Sequence, residues 1–392
     1  MEKKLNKNIY KNYIFWFLIN FSLTHAVWVL YLAAKGFSLF QIGIMETIYH
    51  ITSFTMEIPT GAIADIYGRK TSRTLGRVLY LVSLLLMLSS NNIEIISLSF
   101  VFSALGNNLE SGAGEALVYD SLKELKKEDK YIKIQSNSEM ILQVARAVSL
   151  LLGGYLANIS YTLTYQIAAV VTVISILQSM MFTEPSIGKV DREINVYKTF
   201  KKQFLDSISV VKNDTRISVI IICIELVASF AITSFYYSQN LLKIEGYNNF
   251  EIGIVLAAIG ILTGIFVLLT SKLEKTFGIR NLLIFLPFIY VIGFILISIN
   301  SLTILGMIIV NINESAIFVV SSNYLNSLIP SKQRATVLSF QSMFFSLAMI
   351  VVFPVVGKIG DLFSLNVSYQ LLALVAFIIQ ILFINLLRKK IN

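Results

Sequence analysis

G-A-I-A-D-I-Y-G-R-K-T-S-R, residues 61–73, lies between two long apolar stretches. An apolar helix ends here, with Asp65 about one turn inside its end. Gly68 supplies a turn, and Arg69, Lys70 and Arg73 follow it. Working outward, 56% of the chain is apolar and 14% charged, with a mean hydropathy of +0.73. That composition excludes an ordinary soluble domain. A spanning helix needs roughly 20 mostly apolar residues. Such stretches run over 10–33, 40–66, 71–90, 93–119, 131–158, 162–182, 216–241, 250–271, 281–299, 302–328, 333–358 and 366–387. They predict twelve spans. Their length and lack of strict alternation exclude a barrel.

The basic residues set an orientation. With both termini inside, 28 of the 32 lysines and arginines fall on the inner side. They occupy the tail (Lys3 to Lys11), the turns after even-numbered spans, the central segment and Arg388–Lys390. The outer loops offer Lys35 and Lys243. This asymmetry places both termini in the cytoplasm. It also accounts for the net charge of +9 through topology and attraction to anionic headgroups, with no need for nucleic acid. The start, M-E-K-K-L-N-K-N, carries no cleavable signal pattern. Cys223, alone and inside a span, offers no disulfide or metal motif.

The chain matches itself. Gly36-Phe37-x-x-Phe40-Gln41-Ile42-Gly43-Ile44 aligns with Gly246-Tyr247-x-x-Phe250-Glu251-Ile252-Gly253-Ile254 at an offset of 210. The same offset carries Gly68 onto Gly278 and Lys70 onto Arg280, while Asp65 falls on Lys275 and Gly61 on Ser271. Further on, Asn107-x-x-Glu110-Ser111 aligns with Asn311-x-x-Glu314-Ser315 at an offset of 204. Two six-helix units are therefore expected, 1–182 and 216–392, joined by a polar cytoplasmic linker, 183–215. The linker reads as a surface helix or a disordered tether.

Charges embedded in a membrane span mark function by default. Here they are Glu46 and Glu57 in span 2, Glu110 and Glu115 in span 4, Glu139 and Arg146 in span 5, Glu225 in span 7 and Glu314 in span 10. His25 and His50 accompany them, as proton relays or as polar packing. The interiors of spans 3, 6, 9 and 12 read as free of charge. Glu110 and Glu314 fall near mid-span in corresponding positions of the repeat, which makes them the leading candidates for proton or substrate binding. The competing reading is a carboxyl that only hydrogen-bonds a neighbouring helix. Arg146, the one guanidinium embedded in this reading, needs an anion: Glu139, a span-4 carboxylate, or a substrate. Glu57 precedes Pro59 by two residues, where the helix lacks a donor.

The run at 61–73 closely resembles the G-x-x-x-D-x-x-G-R-K-x-x-R signature of the major facilitator superfamily, with Gly61, Asp65, Gly68, Arg69, Lys70 and Arg73 at its fixed positions. The resemblance covers the whole chain. It implies an all-α membrane fold of two pseudo-symmetric six-helix bundles related by an axis along the membrane normal. It also implies that spans 3, 6, 9 and 12 face lipid and that spans 1, 4, 7 and 10 line a cavity. The signature then acts as a conformational latch, with Arg69 meeting an acid at the end of span 4, for which Asp120 has the right depth. Glu57-Ile58-Pro59-Thr60-Gly61, Ser111-Gly112-Ala113 and Arg334-Ala335-Thr336 look like a bacterial drug:proton antiporter-like branch. Asn108 stands where that branch carries an arginine. Its span-5 motif is reduced to Ala145, Ser149, Leu150 and Gly153-Gly154.

The expected function is secondary transport in the cell membrane of a bacterium, by a monomer in contact with lipids. Proton-coupled efflux of amphipathic organic compounds by antiport is the first reading. Uptake of a specific small nutrient by proton symport, with Arg146 on an anionic group, is the second. Phosphate-loop, H-E-x-x-H and G-x-S-x-G motifs are absent, so an enzyme is not expected. The proton gradient serves as the energy source, with no cofactor and no metal.

Overall fold

The computed structural model describes residues 2–187, 215–329 and 334–391. Among these residues the chain is all-α: α1 Glu2–Asn20, α2 Trp28–Ala34, α3 Leu39–Tyr67, α4 Arg69–Ser89, α5 Ile93–Glu124, α6 Tyr131–Ile159, α7 Tyr161–Met180, α8 Thr215–Ile244, α9 Asn249–Phe277, α10 Ile279–Ile297, α11 Thr303–Leu328, α12 Arg334–Leu362 and α13 Leu365–Ile391. Nine of these helices, α4 and α6–α13, are long and apolar enough to cross a membrane. The expected linker helix and Lys332 lie outside the described residues.

The glycine turns follow the repeat. Gly36 and Gly246 have φ of 91° and 100°, and Gly68 and Gly278 have 99° and 75°. Both pairs are separated by the offset of 210 read from the sequence. A positive φ suits glycine, which has no Cβ to clash.

The first span differs from expectation. Instead of one helix over 10–33, the chain breaks between α1 and α2. Short turn bonds replace the helical ladder there, from His25 N–H to the Ser22 carbonyl (3.2 Å) and from Val27 N–H to the Thr24 carbonyl (3.0 Å). The break is seated on α6: a Cβ added at Gly153 would lie 2.1 Å from the Leu23 carbonyl oxygen. Glycine at 153 thus allows the backbones to touch.

Two contact units emerge. The described residues of Met1–Trp28 and Ile48–Thr199 form one, and those of Val29–Thr47 and Phe200–Asn392 form the other. The second unit thus holds the stretch 29–47, which the sequence repeat assigns to the first six spans. In the first unit, α4 and α5 meet through Gly76 and Gly106, each with a would-be Cβ 2.7 Å from the other's carbonyl oxygen. In the second, α10 and α11 meet where a Cβ at Gly306 would lie 2.7 Å from the Gly293 carbonyl oxygen and one at Gly293 would lie 2.5 Å from Val310 Cγ2. Small residues let membrane helices gain dispersion contact where water provides no driving force.

Also in the second unit, the start of α3 is fastened to α12. Asp361 accepts from the Leu39 and Phe40 N–H groups (2.9 and 2.8 Å). Tyr237 of α8 donates to the Leu39 carbonyl (2.8 Å) and Thr47 to that of Ile350 (3.0 Å). Gly43 gives Pro354 its room. The carboxylate satisfies two of the four N–H groups that every helix start leaves unpaired.

Candidate functional site

The residues of the 61–73 signature do different work. Arg69 bridges two acids: Nη1 lies 2.5 Å from Asp65 Oδ1, and Nε lies 3.8 Å from Asp120 Oδ2 on α5. Burial pushes the Asp120 carboxyl up, against the opposing pull of Arg69 and Lys123; it lies just past the expected span, 93–119. The turn itself is capped by Glu184, whose two oxygens accept from Arg69 and Lys70 N–H (2.7 and 2.8 Å). A Cβ at Gly68 would sit 2.7 Å from that carboxyl, so glycine serves both the φ and the cap. Sequence reasoning passed over Glu184. Its signal was an acid followed by Pro185 where the sixth span ends. Gly61 borders open space.

Arg73 turns inward. It is fully buried and binds Glu110 of α5, with Nε–Oε1 at 3.0 Å and Nη2–Oε1 at 2.9 Å. Nη1 donates to Asn12 Oδ1 of α1 (3.0 Å). The Phe15 and Phe182 rings flank the guanidinium at 4.3 and 4.8 Å. Gly114 makes the space, since a Cβ there would lie 2.7 Å from Glu110 Oε1. One turn on, Arg77 is buried, donates to Ser175 of α7 (3.1 Å) and covers the Tyr80 ring. The expectation of a single embedded guanidinium therefore fails, and α4 is not free of charge inside. Position in a basic loop cluster conceals burial when the side chain reaches back along its helix.

In the second unit the carboxylates have neutral partners. Gln341 of α12 donates to Glu225 of α8 (2.5 Å), and Tyr290 of α10 donates to Glu314 of α11. Glu225 lies within reach of the charge of Glu314. Among the described residues no lysine or arginine pairs with either. The repeat explains this: the offset of 210 carries Arg73 onto Leu283 and Arg77 onto Pro287, while Tyr80 falls on Tyr290.

The remaining candidates stand apart from these clusters. Glu57, Glu115, Glu139 and Arg146 are exposed on the first unit. Neither Glu139 nor a span-4 carboxylate makes an ion pair with Arg146 among the described residues. His50 is buried edge-on against Tyr49. Asn108, at the position of the branch arginine, exchanges hydrogen bonds with Ser53 of α3 (2.8 and 2.7 Å).

Spanning helices, a repeat in two halves and acids buried among them are the build of a multi-pass membrane transporter. The chain belongs to the Major Facilitator Superfamily, whose model matches residues 12–299 and 219–391. It is similar to an uncharacterized MFS-type transporter, YxaM, of Bacillus subtilis (strain 168), with 22% identity over 363 residues covering 91% of this chain and 90% of the relative. Among solved structures it resembles the nucleoside transporter NupG (TM-score 0.77, 14% identity, 96% and 98% of the two chains). It also resembles a bacterial homolog of the lysosomal transporter Spinster (TM-score 0.74, 14% identity, 98% and 97%) and a POT family transporter in complex with 5-aminolevulinic acid (TM-score 0.72, 12% identity, 98% and 97%).

Proposed function

We propose that this transporter exchanges protons for amphipathic organic compounds, cationic or zwitterionic, and exports them across the cell membrane with both termini in the cytoplasm. The observation that carries this reading is the pair Glu225 and Glu314. Two acids in a membrane interior, held by an amide and a phenol and by no cation among the described residues, favour a state that holds a proton or a bound positive group. A site that takes either a proton or a cationic solute, and not both, couples their movements in opposite directions. With an inward proton gradient, that direction is efflux.

Glu110 has its charge met by Arg73, so in this reading it holds α4 to α5. Glu57, Glu115 and Glu139 serve the solute pathway. Gly61, Asp65, Gly68, Arg69, Lys70, Arg73 and Asp120 form the latch, completed by Glu184, and bias the transporter between its conformers. It works as a monomer, driven by the proton gradient without a cofactor.

Inside-out membrane vesicles test the coupling. Amphipathic amines, chosen as hits of a thermal-shift screen on the purified chain, are added outside, and luminal pH is followed by a dye. Antiport makes the lumen more alkaline. Acidification indicates symport and uptake. No change with any hit overturns the proton coupling.

A further inference from the structure

Helix α6 has two exposed stripes of opposite chemistry. Val144, Val148, Leu151 and Tyr155 form one, all between 37% and 52% exposed. Glu139, Gln143 and Arg146 form the other. At 100° per residue, Glu139 and Gln143 lie within about 60° of Arg146, and the four apolar residues lie about 140–180° away from it. An apolar stripe on a spanning helix meets lipid. A polar stripe on the opposite side of the same helix meets water. Exposing a guanidinium to hydrocarbon at mid-helix costs at least ~2.5–3.5 kcal/mol, so Arg146 belongs to the aqueous side. On α5 the exposed residues Asn107, Ser111 and Glu115 make a second polar row at the spacing of one helix face.

Arg146 stands in the middle of α6, two turns before Gly153, where the α1–α2 break is seated. Interrupted helices at mid-membrane concentrate unpaired backbone groups where solutes bind. Arg73 and Arg77 have built partners in carboxylate, amide, hydroxyl and ring, whereas the Arg146 guanidinium has no hydrogen bond or ion pair among the described residues. Glu139 lies about 10 Å along the helix axis from it, near the screening length of a salt solution.

We infer that Arg146 anchors an anionic group, a carboxylate or a phosphate, on the transported solute. Its planar fork suits such a group. The inference rests on the transport reading above and narrows its solute class: the compound carries both a positive group and an anionic one.

The test uses the full chain purified in detergent and a panel of amphipathic amino carboxylates, each paired with its methyl ester, in thermal-shift titrations. The acids should bind roughly ten- to a hundredfold more tightly than their esters. R146Q should erase that difference and R146K, with charge but no fork, should keep part of it. Monodisperse gel filtration of R146K, together with unchanged ester binding, separates lost recognition from lost folding. In the background C223S, R146C should react with a water-soluble thiosulfonate and V148C should not.

Equal binding of acids and esters, or an acid preference that survives R146Q, overturns the inference, as does failure of every acid to bind. If added anionic phospholipid abolishes the preference, a lipid headgroup occupies Arg146 and the solute assignment falls. Esters that bind as well as acids and still move protons in the vesicle assay overturn this inference alone. Hits that bind and move no protons overturn the coupling and leave Arg146 standing.

Discussion

Glu110 and Glu314 occupy matching places in the repeat, so one substitution made twice separates their roles. In Glu110→Gln the fully buried Arg73 loses the charge that compensates its own. The amide oxygen can accept one N–H, the amide nitrogen opposes the rest, and only Asn12 and two ring faces remain. Breaking a buried ion pair from one side costs about 3–5 kcal/mol, which for a unit of this size lowers the apparent melting temperature by roughly 10 °C. In Glu314→Gln the Tyr290 hydroxyl still finds an oxygen. Glutamine imitates the protonated acid, so the loss should stay below about 1 kcal/mol. Proton-linked transport should behave in reverse: Glu314→Gln abolishes uphill transport and spares downhill exchange, while Glu110→Gln retains coupling in whatever fraction stays folded. The assays are thermal unfolding in detergent and solute-driven pH change in vesicles. The double variant Arg73→Met/Glu110→Leu should recover at least half of the lost stability. A Glu110→Gln protein with wild-type melting and no pH dependence would refute the reasoning and return Glu110 to the proton pathway.

Asp65→Asn should impair transport and leave solute affinity intact, because a latch acts on conformer populations. Distance distributions between labels at the end of α3 and the start of α12 should shift, and unchanged distances with unchanged transport would remove the latch. Asp361→Asn should weaken the start of α3 by about 0.5–2 kcal/mol, seen as faster hydrogen exchange of a peptide containing Leu39 and Phe40; unchanged exchange counts against the cap. Gly106→Val drives a branched side chain into the Gly76 carbonyl and should cost about 1–3 kcal/mol, while Gly61→Ala, with open space around it, should melt like the parent. Cysteines at positions 4 and 390, in a Cys223→Ser background, should stay unlabelled by an impermeant reagent in intact cells, and labelling at either overturns the orientation.

The fold was largely legible because membrane spans advertise themselves one at a time. Each needs its own apolar run, and the turns between repeats need their own glycines, so Gly36, Gly68, Gly246 and Gly278 could be placed without any knowledge of neighbours. The Arg69–Asp120 contact was expected too, because the family resemblance implies an acid at the end of span 4 and Asp120 has that depth. Contacts set by how helices lie against one another were not. The Arg73–Glu110 pair depends on the close approach of α4 and α5 at Gly76 and Gly106. Glu184 reaches the start of α4 from 115 residues away, and Asp361 reaches that of α3 from more than 320. The break after Asn20 carries weak local signals, Ser22, Thr24 and His25, and is fixed by Gly153 on another helix.

In the proposed reading the two copies of the repeat become a support in the first unit and a proton site in the second. Both keep a glutamate and a tyrosine on paired helices: Glu110 on α5 and Tyr80 on α4, Glu314 on α11 and Tyr290 on α10. In the first copy Arg73 neutralises the acid, and Arg77 takes the tyrosine ring. In the second copy the same helix positions are Leu283 and Pro287, and Leu283 is buried. Removing the cation leaves the acid exposed to its own desolvation, and Tyr290 is then free to bind it directly. An acid whose charge is met by a fixed arginine gains little from a proton. In the proposed reading, one met by a phenol, with no cation beside it among the described residues, gains more. Installing a cation in the second copy, by Leu283→Arg, should therefore convert Glu314 to the first kind: uphill transport should fall toward that of Glu314→Gln, while a charge-free Leu283→Met keeps it. Equal activity of the two variants would show that the missing arginine is not what makes Glu314 reactive.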